Sequence, residues 1–294
     1  MAVKTKKREK MTPLTIAMLV VLIAYCLVMF TLFVFAIMMS LKDPAKYIYP
    51  TLKPDETPYF LNYVKVFNVR IVFKSAGKVV KSSMSYIIGN SVIYALGCSV
   101  VNTLVCGVTA YLCAVYRYKY SRIVYTTVIV VMTIPIVGSQ AAELSVLRKI
   151  NLYDTWAGLL ILKANFLGMY FLVFHEMFFS MPITYREAAT IDGASDWQVM
   201  TSIYFPLAKA TFGTVLLINF ITYWNDYQTP MLYAPTHPTL SRFLIEITRL
   251  SKDDFDAMPM QMATTVILML PPLALFLAFQ KKLMSNLTIG GIKG

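Results

Sequence analysis

The run from Leu14 to Met39 contains no charged residue. A bilayer core of about 30 Å is spanned by roughly 20 apolar residues in helix, so this run is long enough to cross a membrane. Its basic preface, KTKKREK, resembles the start of a secretory signal. The apolar stretch exceeds the h-region of roughly 7–15 residues, however, and no small-residue cleavage site follows, so an uncleaved first span is expected. Composition agrees, with 57% hydrophobic and 14% charged residues. Cutting the rest of the chain on the same length places further spans near Tyr86–Val115, Ile123–Leu147, Trp156–Ser180, Ala210–Tyr233 and Gln261–Phe279. The expected fold is an all-α integral membrane protein of about six transmembrane helices.

The formal charge of +12 does not point to nucleic acid, because the basic residues flank apolar spans, where they face lipid headgroups. Lys and Arg totals on the two sides tie, but Lys4–Lys10 directly precedes the first span, which favours cytoplasmic N- and C-termini. The expected organisation is a cytoplasmic N-tail over 1–13, a transmembrane domain over 14–283 and a cytoplasmic C-tail over 284–294. Two outer loops fall at 42–85, which carries four prolines and is expected to pack as a cap, and at 235–259. Cys26, Cys98, Cys106 and Cys113 lie in apolar runs and read as small packing residues, without disulfide or metal-ligand spacing.

One polar stretch interrupts this pattern, PITYREAATIDGASDWQVMTSIYFP at 182–206. Thr184 with Glu187 has the spacing of a capping box, which predicts a helix starting at Tyr185; Gly193 suits the left-handed residue that closes it. Ser195 with Gln198 repeats the box for a second short helix, limited by Pro206. A helix from Tyr185 to Asp192 would be only about 12 Å long, so it belongs at the membrane surface. Its single Arg186 beside Glu187, Asp192 and Asp196 is not the composition of an interfacial lipid anchor. The small Ala188 and Ala189 and a Trp197, Met200, Tyr204 stripe suit a protein partner better.

The residues EAATIDGASDWQVMTSIYFP resemble the EAA motif of bacterial ABC importer permeases: Glu187, Ala188, Ala189, Gly193, Ile203 and Pro206 match, and Phe205 stands where Leu is usual. In that family the segment is the coupling helix that sits in a groove of the ATP-hydrolysing subunit. The resemblance therefore implies ATPase-coupling roles for Glu187, Ala188, Ala189, Asp192, Gly193 and Trp197. Other stretches look like the carbohydrate branch, maltose-permease type: GNSVIYALGCSVVNTLVCGVTAYLCAVYRY, LYDTWAGLLIL, WNDYQTPMLY and the tail NLTIGGIKG, where Asn286 replaces a common Gly. This likeness implies a subunit of a carbohydrate (oligosaccharide) importer in the bacterial plasma (inner) membrane. Its partners would be a second homologous permease, two ATPase subunits, an extracytoplasmic sugar-binding protein, the carbohydrate and the lipid bilayer. It also implies that Gly290, Gly291 and Lys293 in the C-tail reach the ATPase.

Other features test that reading. Ser91, Ala95, Ser99, Thr103 and Gly107 form a small-residue face on the second span, suited to static packing or to a moving interface, and expected to need a partner. Glu143, Lys163, His175, Glu176 and Asp226 lie at or near membrane depth, where charge costs at least about 2.5–3.5 kcal/mol, so they should pair, line a wet cavity or sit at span ends. Trp224, Asn225, Asp226 and Tyr227 either touch the substrate path or support a helix break at Pro230. His175–Glu176 lacks the second histidine of a zinc-protease helix, and the chain has no phosphate-binding G-x-x-x-x-G-K-[ST] loop. No catalytic residue, metal or cofactor is expected in this chain, and ATP and magnesium would belong to the partner ATPase. The rival classes are an ion-coupled secondary transporter, a membrane scaffold without transport and an ABC permease for a non-sugar solute.

Overall fold

The computed structural model describes residues 12–47, 50, 57–75, 78–116, 118–134, 138–249 and 258–287. Residues 1–11 of the N-tail and the C-tail residues Gly290, Gly291 and Lys293 lie outside them. The chain runs through α1 (Pro13–Ser40), α2 (Leu61–Asn68), β1 (Arg70–Ser75), β2 (Lys78–Ser83), α3 (Met84–Val115), α4 (Lys119–Thr133), α5 (Ser139–Lys149) and α6 (Trp156–Lys163). It continues with α7 (Met169–Phe179), α8 (Thr184–Ile191), α9 (Asp196–Val199), a π-helical turn (Met200–Tyr204) and α10 (Phe205–Leu207). The last elements are α11 (Lys209–Asn225), α12 (Gln228–Tyr233), α13 (Leu240–Arg249) and α14 (Met258–Leu287). The chain divides into one unit of 1–66 with 251–266 and a second of 67–250 with 267–294.

In the first unit, α1 starts where Thr12 accepts a hydrogen bond from the Thr15 amide and Pro13 takes the first helical position, where its missing N–H costs nothing. Its side chains from Leu14 to Leu32 are exposed, as expected of a helix whose solvent is lipid. The far end of α1 is tied down by polar groups. Asn62 donates to the Ser40 and Lys42 carbonyls, each at 2.8 Å, and Tyr63 shares a hydrogen bond with the Ser40 hydroxyl. The loop after the first span is therefore ordered in part, with α2 folded back on the end of α1.

The second unit is organised on α3. Its small-residue face is buried, and three of its positions meet neighbouring elements directly. Ser91 accepts from the Leu240 amide of α13 at 2.6 Å, Thr103 accepts from the Asn219 amide group of α11 at 3.1 Å, and a Cβ at Gly107 would lie 2.5 Å from the Phe212 ring. The expectation that this face needs a partner chain is corrected: α11 and α13 of the same chain cover it. Before α3, β1 and β2 pair antiparallel, Arg70 opposite Ser83, and the buried Phe73 of β1 lies under the Arg242 guanidinium of α13.

Among the described residues, three helices have the length and apolarity to cross a bilayer: α1, α3 and Met258–Gln280 of α14. The other three expected spans are interrupted. Ile123–Leu147 divides into α4 and α5, Trp156–Ser180 into α6 and α7, and Ala210–Tyr233 into α11 and α12. The first two interruptions fall in largely apolar stretches, which a length criterion does not reveal, and the third falls in the polar run Asn225–Gln228. The stretch Asp196–Leu207 meets α11 at a bend of 75°. At that corner Ala208 is fully buried, its amide bonded to the Tyr204 carbonyl and its carbonyl to the Phe212 amide, each at 3.0 Å.

Gly107→Ala should drive α3 and α11 apart or displace the Phe212 ring, and overpacking of this kind costs typically about 1–3 kcal/mol. The purified protein should melt at lower temperature, and Phe212→Leu in the same chain should recover part of the loss. An unchanged melting temperature in Gly107→Ala would contradict the close approach.

Candidate functional site

The segment 182–206 folds as two short helices, though not with the first cap expected. Ile183 is already helical, with φ −65° and ψ −22°, and the Tyr185 amide bonds to the Pro182 carbonyl while the Arg186 and Glu187 amides bond to the Ile183 carbonyl. The helix therefore begins directly after Pro182, and Thr184 lies inside its first turn, making no side-chain cap. At the other end the expectation holds: Gly193 has φ +79°, and the Ala194 and Gly193 amides bond to the Ala189 and Thr190 carbonyls in the pattern of a Schellman motif. The second box forms as read from sequence, Ser195 with Gln198.

The pair of helices has an inner and an outer face. Ala189, Val199, Met200 and Tyr204 are buried in the core of the second unit. Tyr204 meets Tyr111 of α3 edge-on with centroids 5.2 Å apart, and Phe178 of α7 at 6.3 Å. Of the stripe expected to meet a partner, Met200 and Tyr204 thus hold the segment to its own core, and only Trp197 stays exposed, at 69%. Glu187, Ala188, Asp192 and Gly193 are exposed as well, beside Ile191, which is 85% exposed and carries no recognisable sequence signal.

Tyr116, just past α3, joins both short helices. Its hydroxyl donates to Asp196 Oδ1 at the start of α9, and the Arg186 guanidinium of α8 lies 4.1 Å from its ring centroid. Burial first, and then the bond to Asp196, push its phenol above the usual range, so it remains a donor at physiological pH. Sequence reading missed Tyr116; its place between a long apolar run and a basic turn was the available signal.

Of the charged residues expected at membrane depth, Lys163 and Asp226 form an ion pair, Glu143 accepts from Tyr233, and His175 lies among the rings of Tyr125, Phe171 and Phe179. Asp226 follows α11 and its Oδ1 accepts the Thr229 amide at 3.0 Å, capping the start of α12. Its Oδ2 accepts from Tyr94 at 2.8 Å and from Lys163 at 3.2 Å, and Lys163 also donates to Thr229 at 2.9 Å. Of the two readings of Trp224–Tyr227, the geometry matches support of a break, located at Asp226 and Tyr227 rather than at Pro230. Trp224 is buried and donates to the Leu268 carbonyl, and Asn225 donates back to Ile221. None of Trp224, Asn225, Asp226 and Tyr227 lines the polar cavity of about 480 Å³ beside them. That cavity is walled by residues from α3 and from the broken helices, including Asn102, Gln140, Glu143, Lys163, Asn165, Asn219, Tyr223 and Tyr233. Among the described residues there is no group of three or more His, Cys, Asp or Glu placed to hold a metal.

A polar cavity framed by α3 and broken apolar helices, with a short-helix pair anchored at the end of α3, fits the class of membrane permeases. Residues 103–288 match the family described as "Binding-protein-dependent transport system inner membrane component", and the chain belongs to that family. It is 25% identical over 187 residues to the arabinooligosaccharides transport system permease protein AraQ of Bacillus subtilis (strain 168), covering 63% of this chain and 65% of that one. It is 24% identical over 180 residues to the lactose transport system permease protein LacG of Rhizobium radiobacter, covering 60% and 64%. These matches span a little under two thirds of the relatives' length. The fold is similar to the crystal structure of a bacterial ABC transporter involved in the import of the acidic polysaccharide alginate, with TM-score 0.73, 20% identity and coverage of 93% of this chain and 99% of that one.

Two outcomes check this geometry. Tyr116→Phe should speed amide exchange in 184–207 about fivefold to tenfold, the equivalent of one hydrogen bond, and leave α3 protected. Lys163→Met and Asp226→Asn should each destabilise the protein more than the double variant does, since each alone strands a charged or polar partner. A simple sum of the two single effects would show that the pair does not act together.

Proposed function

We propose that this chain is one membrane subunit of an ATP-driven carbohydrate importer. In this reading it forms the translocation path with a second, homologous permease, draws substrate from an extracytoplasmic sugar-binding protein and is driven by two separate ATPase subunits. Both termini then lie in the cytoplasm. The observation that carries the reading is the two-faced segment 184–207, bound to its own core by Met200 and Tyr204 and presenting Glu187, Ala188, Asp192, Gly193, Ile191 and Trp197 outward. An exposed patch of large apolar side chains rimmed by carboxylates is suited to a protein groove. Ala189 contributes from inside, as packing. The relatives' printed substrates, arabinooligosaccharides and lactose, favour a saccharide cargo. The assignment of Gly290, Gly291 and Lys293 to the ATPase interface rests on resemblance.

Because Thr184 makes no cap, Glu187 is not needed to start α8, and Glu187→Gln removes charge without unravelling the helix. With the ATPases and binding protein reconstituted, this variant should lower sugar-stimulated ATP hydrolysis by roughly tenfold, about 1.4 kcal/mol of coupling. Gly193→Val should misdirect α9 at a left-handed position and give a comparable loss with the spans intact. Normal coupling in both variants would overturn the assignment. Uptake into vesicles that follows internal ATP and survives an uncoupler separates this function from ion-coupled transport.

A further inference from the structure

The polar cavity takes no part in the coupling argument. We propose that it is a saccharide-contact site belonging to this chain, and that Glu143 makes it discriminate by charge, accepting neutral and cationic sugars and disfavouring uronates. The proposal rests on the importer reading and names the class of sugar that the path admits.

Size and chemistry both point to a hydroxyl-rich ligand. A volume of about 480 Å³ falls within the range of small-molecule pockets. The wall offers side-chain amides, hydroxyls and phenol rings, which are the donors, acceptors and flat faces that a sugar ring uses. Asn102 and Asn219 are fixed there: Asn219 donates to the Asn102 side-chain oxygen at 3.0 Å, and Asn102 donates to the Lys163 and Asn165 carbonyls at 3.0 and 2.9 Å. With both amide hydrogens of each asparagine engaged, what the pair offers a ligand is side-chain oxygen held in place, which loses little freedom when the ligand arrives.

The charge of the wall follows from its pairs. Lys163 and Glu143 are the charged side chains lining the cavity. The Lys163 ammonium lies 3.2 Å from Asp226, so its charge is matched by a carboxylate standing behind the lining. Glu143 accepts a hydrogen bond from the Tyr233 hydroxyl at 2.7 Å, and that donor is neutral. The cavity therefore carries one net negative charge. A carboxylate brought within a few ångströms of it in a partly desolvated site should bind about tenfold to a hundredfold more weakly than a neutral ring of the same shape.

The test uses the assembled complex of this chain with its partner permease and ATPases, without the binding protein, at low ionic strength. Glucose, glucuronate and glucosamine share a ring and differ in charge, and ligand-detected NMR measures each. The wild-type complex should bind glucose and glucosamine and bind glucuronate at least tenfold more weakly. Glu143→Gln, which keeps an acceptor for Tyr233, should bring glucuronate to within about threefold of glucose, and Thr222→Trp, which fills the cavity, should abolish binding of all three. Equal binding of glucuronate and glucose by the wild type, or discrimination that persists in Glu143→Gln, overturns the charge assignment. Lack of any sugar binding, or binding that survives Thr222→Trp, overturns the site. If either occurs while the same complex, placed in vesicles with the binding protein added back, still couples ATP to uptake, only this proposal fails; if ATP-driven uptake is missing with the binding protein present, the importer reading fails.

Discussion

A helix that breaks at membrane depth exposes carbonyls that lipid cannot hydrogen-bond, and in this protein the side chain of Asn102 takes up two of them. Its amide donates to Lys163 and Asn165, just where α6 ends, while its oxygen accepts from Asn219 on α11. One side chain thus joins the central helix to an interrupted span and to its neighbour. Each unsatisfied group of this kind would cost several kcal/mol in hydrocarbon, so the interruption depends on the asparagine. The same logic governs Asp226, whose carboxylate caps α12 and binds Lys163, so that a charge and a chain break offset one another.

At the other end of the central helix, aromatic packing does the corresponding work. Tyr111, Phe178, Tyr204, Phe205 and Phe212 meet at centroid distances between 4.8 and 6.4 Å, drawn from α3, α7, the π-helical turn, α10 and α11. Edge-to-face pairs of this type add about 0.5–1.5 kcal/mol each beyond the area they bury. The surface segment is consequently part of the core, and its exposed residues sit on a rigid base.

What could be read in advance follows the reach of each signal. α1 and α3 were legible to within a few residues because their apolar runs are long and end at polar positions. Gly193 and the Ser195–Gln198 box were legible because their requirements are local. Thr184 misled for a local reason also: the chain is already helical at Ile183, directly after Pro182, so the helix starts one residue earlier than the cap motif suggests. The interruptions of α4–α5 and α6–α7 were hidden in largely apolar stretches, with Asn165 marking the second, whereas a break after α11 was one of the readings and only its place, Asp226 and Tyr227 instead of Pro230, was missed. Asp226 was visible as a costly charge but not as the group behind the cavity wall, because its partners are up to 132 positions away in sequence. The cavity lining was illegible for the same reason, being assembled from five separate stretches of chain.

The corner at Ala208 has a mechanical consequence. Because its amide and carbonyl are both engaged and its side chain is enclosed, Asp196–Leu207 and α11 turn as one bent body with arms at 75°. Such a body acts as a bell crank. A displacement of the short arm appears at the far end of the long arm as a swing of Trp224 and of the Asp226 junction. Displacement is transmitted without any change in the length or winding of either arm, and it arrives where α11 gives way to α12, at the edge of the cavity.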